Sequence, residues 1–397
     1  MLEYRIRRLR TAQAEARQLG LRGARFPWES ATTGSDVTPR SGRNSRGEVV
    51  PILTGIYEEH VTADIAWAAL HYLDWTNDPV GSDVGLRDLV LEGARYWTTR
   101  CRWNGESRAH LDSVIGPDEY HERVDDNAFT NLMAKWNLRQ AAELEGGVSG
   151  AGTAEAGEWL RLADALVDGY DPATGLYEQF RGFYELDPLV ISAESTVPVA
   201  ADLPLGRERV QRSQVIKQAD VLMAHHLIPE AMAAGSLVAN LDFYLPRTAH
   251  GSSLSPGIHA ALQARAGRPD EALTLFGLAC RIDLDDLTGS TAGGLHLAAM
   301  ASVWHALVFG FCGVRVRGGV LSCDPKLPQT WNEVEVRMQV GGCPVVLRAR
   351  HDEVEISTEG QLPIAMPPAE CPTFGGRTRR FRHGMSGDEP HWVEVPS

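Results

Sequence analysis

Residues 114–138 read VIGPDEYHERVDDNAFTNLMAKWNL. Gly116-Pro117 forces a turn, and Asp118, Glu119, His121 and Glu122 crowd the next five positions. Asp125-Asp126-Asn127 then offers N-cap chemistry to a helix whose apolar residues, Phe129, Leu132, Met133 and Trp136, fall on one face. An acidic loop followed by a capped helix is the unit from which the rest of the chain is built. Upstream, the spacing predicts helices from Met1 to Leu19, Glu58 to Trp75 and Leu86 to Trp103. Downstream it predicts them from Trp159 to Leu166, Val215 to His226, Ser253 to Ala266, Asp270 to Cys280 and Leu295 to Phe311. The 58–75 segment carries Val61, Ile65, Ala68 and Tyr72 on one stripe and Trp67 and Leu70 on another, as a helix between two layers would. This helix–long loop–helix rhythm points to concentric helices.

After Gly313 the period changes. Val334, Val336, Met338 and Val340 alternate, and alternation resumes over 345–347 and 354–356, as strands do. The expected organisation is a helical domain over residues 1–313, a small β-sheet domain over 314–365 and a poorly ordered Pro-, Gly- and Arg-rich tail over 366–397.

Composition narrows the function. The 397 residues carry 38 basic and 52 acidic side chains, a net charge of −14. Nucleic acid and anionic membranes both require a basic footprint, so neither is an expected partner. No apolar run reaches membrane-spanning length, and the alternating N-terminus does not read as a signal peptide. The six cysteines show no metal-ligand spacing and are expected to be reduced thiols of a cytoplasmic protein.

Six stretches carry candidate chemistry. In the 114–122 loop, crowded carboxylates raise one another's pKa, which keeps one protonated as a donor. Tyr120, with Trp97 and Trp103 upstream, would wall a sugar cleft; the plain alternative is a solvated acidic turn that caps the next helix. The segment Arg247-Thr248-Ala249-His250-Gly251-Ser252-Ser253 presents hydroxyls and backbone N–H groups suited to an anion, with Arg247 and His250 as added positive charge. It is equally an ordinary Ser-rich cap. Lys217-Gln218 interrupts an apolar stretch, so Lys217 either snorkels to the surface or holds a polar ligand. Trp28-Glu29 suits stacking on a sugar and gripping its hydroxyls, unless Trp28 simply plugs the core. Glu58-Glu59-His60 and the glycine-rich approach to His296 are polar helix openings whose histidines read as structural. No metal constellation and no G-x-S-x-G elbow occurs.

Taken in order, GARFPWESATTGSDVTP, EEHVTADIAWA, VIGPDEYHERVDDNAFTNLMAKWNL, VIKQADV, RTAHGSSLSPGIHA and DPKLPQTW resemble glycoside hydrolase family 65, the maltose, trehalose and kojibiose phosphorylases and related hydrolases. The resemblance runs from about Tyr4 to about Ile356. It implies an (α/α)6 barrel followed by a small β-sheet domain. It implies that Glu119 is the general acid, that Lys217 and Gln218 hold the glucose, and that His250, Ser252 and Ser253 cradle phosphate. Inorganic phosphate would then attack the anomeric carbon from the opposite face, giving β-glucose 1-phosphate, with no metal or organic cofactor.

The expected substrates are a disaccharide and phosphate, and the resemblance suggests a homodimer. The family's N-terminal β-sandwich, first barrel helices and sugar-gripping Trp-Asp pair have no counterpart, so the chain looks like the C-terminal half of the usual protein. Two other readings stand beside the phosphorylase. One is an inverting hydrolase, for which Glu29 or Asp286 would have to serve as the base. The other is an inactive sugar-binding subunit.

Overall fold

The computed structural model describes residues 1–43, 47–76, 84–105, 107–146, 153–191, 201, 205–367, 378–386 and 389–395. These fall into two compact units: the described residues of 1–70, 84–191 and 201–251 form the first, and those of 71–76 and 252–395 the second. The change from helices to strands falls between Phe311 and Arg315, where the periodicity changes.

The first unit is helical. Its principal helices are Leu9–Gln18, Val84–Arg100, Ala128–Leu144, Ala154–Ala165, Asp220–Leu227 and Ser236–Tyr244, joined by the first part of Val61–Thr76. Leu2–Arg7 and Leu9–Gln18 replace the single helix expected from Met1 to Leu19. Ala128–Leu144 forms as read: Asn127 Oδ1 accepts from the Thr130 N–H, and twelve of its residues are buried. Trp97, Trp159, Phe129, Phe183 and Tyr244 fill the interior. Trp97 is wholly buried and donates to Asn137 Oδ1 at 3.2 Å, so it belongs to the core and not to a cleft. Trp103 sits in the short strand Arg102–Asn104 under the Arg161 guanidinium. Both corrections have one cause: an apolar residue upstream of a loop packs where its own helix or strand points, not where the loop leads.

In the second unit, helices Ser255–Arg265, Pro269–Arg281 and Leu297–His305 precede the sheet. The last of these continues as a π-helical stretch, Ala306–Phe311. Phe276 and Phe311 both pack against Trp331, with ring centroids 5.8 and 4.8 Å away, which ties these helices to the segment leading into the sheet. The sheet has five strands, Val334–Val340, Cys343–Ala349, Glu353–Thr358, Thr378–Ser386 and Glu389–Val395, each antiparallel to the next.

The last two strands correct the reading of 366–397 as a poorly ordered tail. Phe381 pairs with Val354 and is buried, while Arg380 and Arg382 pair with Glu355 and Glu353 on the exposed face. These cross-strand ion pairs make a basic, Pro-bearing segment a good strand. No helix among the described residues is long and apolar enough to cross a membrane, and no group of His, Cys, Asp or Glu among them could hold a metal ion. The described cysteines are all free; Cys371 lies outside the described residues.

Candidate active site

The acidic loop is pinned at both ends. Val114 and Val124 exchange backbone hydrogen bonds of 2.8 and 2.9 Å, closing residues 115–123 into a compact excursion. Ser113, Arg123 and Asp126 at its feet all have positive φ, a conformation that non-glycine residues adopt only when surrounding bonds enforce it. Within the loop the three carboxylates diverge, and each finds its own basic partner. Asp118 turns inward and bonds His121 Nδ1 at 2.6 Å; Glu119 meets Lys217 Nζ at 3.0 Å; Glu122 pairs with Arg207. The crowding expected from their spacing is therefore not what the fold builds. Successive residues of an irregular loop point in different directions, and separate ion pairs replace mutual repulsion.

Asp118 organises the floor. It is 2% exposed, and its carboxylate also accepts from the backbone N–H groups of Lys217 at 2.8 Å and Tyr120 at 3.3 Å. Burial disfavours the charged form of His121, but the charge and hydrogen bond of Asp118 outweigh it and hold the imidazole above its ordinary pKa. The other ring nitrogen of His121 donates to the Ser213 carbonyl at 3.0 Å.

Behind Asp118 lies Asp220, fully buried, which accepts from the Asp118 N–H at 2.7 Å and from Asn127 Nδ2 at 2.6 Å. Burial, reinforced by the neighbouring Asp118 charge, pushes its carboxyl well above the usual range. Gly116 makes this packing possible. A Cβ there would stand 2.1 Å from Asp220 Oδ2 and 2.5 Å from Asn127 Nδ2.

Glu119, Tyr120, Glu122, Arg207, Val210, Lys217 and Gly251 line a cleft of about 300 Å³. Tyr120 forms an apolar wall, as read, packed on Ala201, Val210, Val215 and Ala249 and accepting the Ala201 N–H on its hydroxyl. Lys217 neither snorkels freely nor is buried: its side chain is 24% exposed and engaged with Glu119. Gln218 donates from Nε2 to the Pro117 carbonyl, and its Oε1 is buried without a partner. Lys217 and Gln218 precede the helix Asp220–Leu227 instead of lying in it. The backbone of Ile216 is taken by Arg247 and Ala249 in a parallel bridge, and the chain bends at Lys217 and Gln218 before the helix begins.

Trp28 is half-buried, with its ring 6.3 Å from the His60 ring, and Glu29 is exposed. The core plug in that stretch is Phe26, 1% exposed. His60 is buried between two carboxylates, Asp64 Oδ2 at 2.6 Å and Glu58 Oε1 at 3.1 Å. Burial opposes its charge, yet Asp64 and Glu58 raise it to about 10, so the ring is an imidazolium. Glu58 itself is 1% exposed, keeps Oε2 unpartnered, and lies near enough to Glu119 for their charges to repel. Burial, despite the opposing effect of His60, pushes its carboxyl up. The sequence does not single out Asp220, and it marks Asp118, Asn127 and Glu58 only as members of an acidic loop, a helix cap and a polar helix opening. The signal available was their place inside the very motifs, GPDEYHE, KQADV, DDNAF and EEH, from which other residues were chosen.

The second loop divides. His250 and Gly251 end the first unit, and Ser252 and Ser253 open the second. His250 has φ +50° and is buried, and burial lowers its pKa to about 4. It is therefore a neutral imidazole, not the added positive charge expected. Arg247 is also no free cation. It donates to Gln214 Oε1 at 2.9 Å and the Phe243 carbonyl at 2.7 Å and covers the Phe243 ring. Ser252 Oγ accepts the Leu254 N–H at 3.2 Å just before the helix Ser255–Arg265. His296 is held by Asp283 at 2.6 Å, a structural arrangement as read. Asp286, an alternative base, is bonded by the Thr291 N–H of its own loop.

Residues 1–305 match the glycosyl hydrolase family 65 central catalytic domain and residues 314–366 the C-terminal domain of the same family. A kojibiose phosphorylase from Halothermothrix orenii is 36% identical over 374 residues, covering 90% of this chain and 48% of that protein. An alpha,alpha-trehalose phosphorylase from Geobacillus stearothermophilus is 32% identical over 379 residues, covering 91% of this chain and 46% of its own. A solved structure from the human microbiome, provisionally named a kojibiose phosphorylase, superposes with a TM-score of 0.80 at 24% identity over 97% of this chain and 57% of that one. The shared fold is the expected (α/α)6-barrel class with a small C-terminal sheet. The chain spans about half the length of the curated relatives it matches. With the family's central and C-terminal domains matched in order over most of its length, the chain belongs to glycosyl hydrolase family 65.

Proposed function

We propose that this chain carries the catalytic machinery of an inverting disaccharide phosphorylase acting on an α-linked glucoside of the kojibiose, trehalose or maltose type. Glu119 gives its proton to the glycosidic oxygen as the C1–O bond breaks. Inorganic phosphate forms the new C1–O bond from the opposite face. The products are β-glucose 1-phosphate and a free sugar, and Glu119 regains a proton from the incoming phosphate or from solvent. Lys217 and Gln218 hold the glucose, Trp28 and Glu29 the other sugar. Ser252 and Ser253, with neutral His250 as a hydrogen-bond donor, bind phosphate.

The observation that most supports this reading is the meeting of Glu119 and Lys217 at 3.0 Å in one cleft, from motifs 98 residues apart. Gly251 lines the same cleft, and Gln218, the residue after Lys217, keeps a buried side-chain oxygen without a partner. The relatives' names point to phosphorolysis. The test is to incubate the protein with kojibiose, trehalose and maltose, with and without phosphate, and to identify the products. Glucose 1-phosphate formed only with phosphate supports the proposal. Free glucose formed without phosphate replaces it with the hydrolase reading. No product from any of the three, together with measurable sugar binding, replaces it with the sugar-binding subunit.

A further inference from the structure

The Glu119–Lys217 contact poses a difficulty for the mechanism just proposed, and its resolution rests on that same reading of the cleft. An ammonium 3.0 Å from a carboxylate favours the ionised carboxylate, yet a general acid must hold a proton when its substrate is in place. The two side chains are 33% and 24% exposed, so a ligand can reach the pair. The Lys217 backbone, in contrast, is fixed by its N–H on Asp118 Oδ1, and Asp118 is fixed in turn on Asp220. The lysine side chain can therefore swing while the loop that carries Glu119 stays still. Gln218 Oε1, buried and unpartnered, stands at the next residue. An ammonium with donors to give and a carbonyl lacking a donor are complementary to a polyol.

Once Lys217 turns to a sugar hydroxyl, the groups around Glu119 are mostly acidic. Glu58 repels it from the segment before the Val61–Thr76 helix, with one carboxyl oxygen unpartnered. Asp118 and Asp220 lie beneath, and Glu122 lines the same cleft. The nearby basic groups are already committed: His60 to Asp64 and Glu58, His121 to Asp118, and Arg207 to Glu122. We propose that Lys217 is a latch on the general acid: it pairs with Glu119 in the free protein, and sugar binding draws it away so that Glu119 takes up one proton from solvent. Substrate binding thereby arms the acid, and Glu58 acts as a positioning residue that keeps the released carboxyl from remaining charged.

The experiment is isothermal titration of the whole chain with kojibiose, trehalose and maltose at pH 6 and 7. It is run without phosphate in two buffers of different ionisation heat, which yields the protons exchanged per sugar bound. The expected result is an uptake approaching about one proton per sugar, with affinity falling up to about tenfold per pH unit as the free acid ionises. Glu119→Gln should bind the same sugar with no uptake. Glu58→Gln should bind it with less uptake at pH 7, leaving the circular dichroism spectrum unchanged. Binding by the unsubstituted chain with no proton uptake overturns the latch and leaves the phosphorylase reading intact. Absence of binding to all three sugars overturns the sugar site itself, and the latch with it.

Discussion

The close packing at Gly116 makes a quantitative prediction about what holds the acidic loop. Gly116→Ala adds one methyl group, which would sit 2.1 Å from Asp220 Oδ2 and 2.5 Å from Asn127 Nδ2, each more than about 0.5 Å inside any real contact. Both atoms are buried, and neither belongs to a flexible surface side chain that could move aside. To admit the methyl, the loop must withdraw or the Asn127–Asp220 bond of 2.6 Å must open, which also weakens the bond from the Asp118 N–H to Asp220. Each is a hydrogen bond to a buried carboxyl group, worth about 1.5–3 kcal/mol when lost. The substitution should therefore cost about 3–5 kcal/mol. The control is Gly157→Ala, in the helix Ala154–Ala165, where nothing lies within 4 Å of the added atom. That change should stabilise by up to about 1 kcal/mol through helix propensity. Urea unfolding followed by tryptophan fluorescence measures both. If Gly116→Ala shifts the midpoint no more than Gly157→Ala does, the buried Asp118–Asp220–Asn127 array is not what fixes the loop.

Three further outcomes are expected. Glu119→Gln should lower turnover by about 10²–10⁴-fold while sugar affinity, read by titration, changes little; a fully active variant would remove Glu119 from the acid's role. Replacing Ser252 and Ser253 together with alanine should raise the phosphate KM more than the sugar KM, and equal changes in both would argue against the phosphate assignment. His60 has a folded pKa of about 10 against an ordinary 6.5. Its contribution to stability is therefore complete below about pH 6.5 and disappears as pH rises through about 10. His60→Gln should flatten that dependence in unfolding curves taken from pH 6 to 10, whereas an unchanged slope would place the effect elsewhere.

Local features of this chain were legible and tertiary ones were not. The helix Ala128–Leu144 followed from the Asn127 cap and the spacing of Phe129, Met133 and Trp136, because both signals lie within four residues of each other. The first three strands of the sheet followed from valine alternation. The segment 215–219 has a helical composition but lies outside the helix, because Ile216 bonds the backbone around Thr248, over thirty residues away in sequence. Helix Ser236–Tyr244 escaped notice because Gly235 precedes it and no side chain caps it. Strands Thr378–Ser386 and Glu389–Val395 were hidden by arginines whose partners, Glu353, Glu355 and Glu394, lie on neighbouring strands.

The same division holds at the site. Glu119, Lys217 and Gln218 were read from their motifs, and the cleft brings Glu119 and Lys217 together. The partners that set their electrostatics are pairs such as Asp118 with Asp220, Glu58 with His60 and Glu122 with Arg207. Spacing along a chain says nothing about which acid faces which base across a loop. That is also why Arg247 and His250 were taken for positive charges at an anion site, when Phe243 and Gln214 hold the arginine and burial keeps the histidine neutral.

The most direct test of the central claim is proton NMR of the reaction mixture, with phosphate present and the responsive disaccharide as substrate. It follows the anomeric signal of the first glucose product. The account predicts β-glucose 1-phosphate from the unsubstituted protein and none from Glu119→Gln. An α-phosphate as first product, or β-phosphate formed at an undiminished rate by Glu119→Gln, would contradict it.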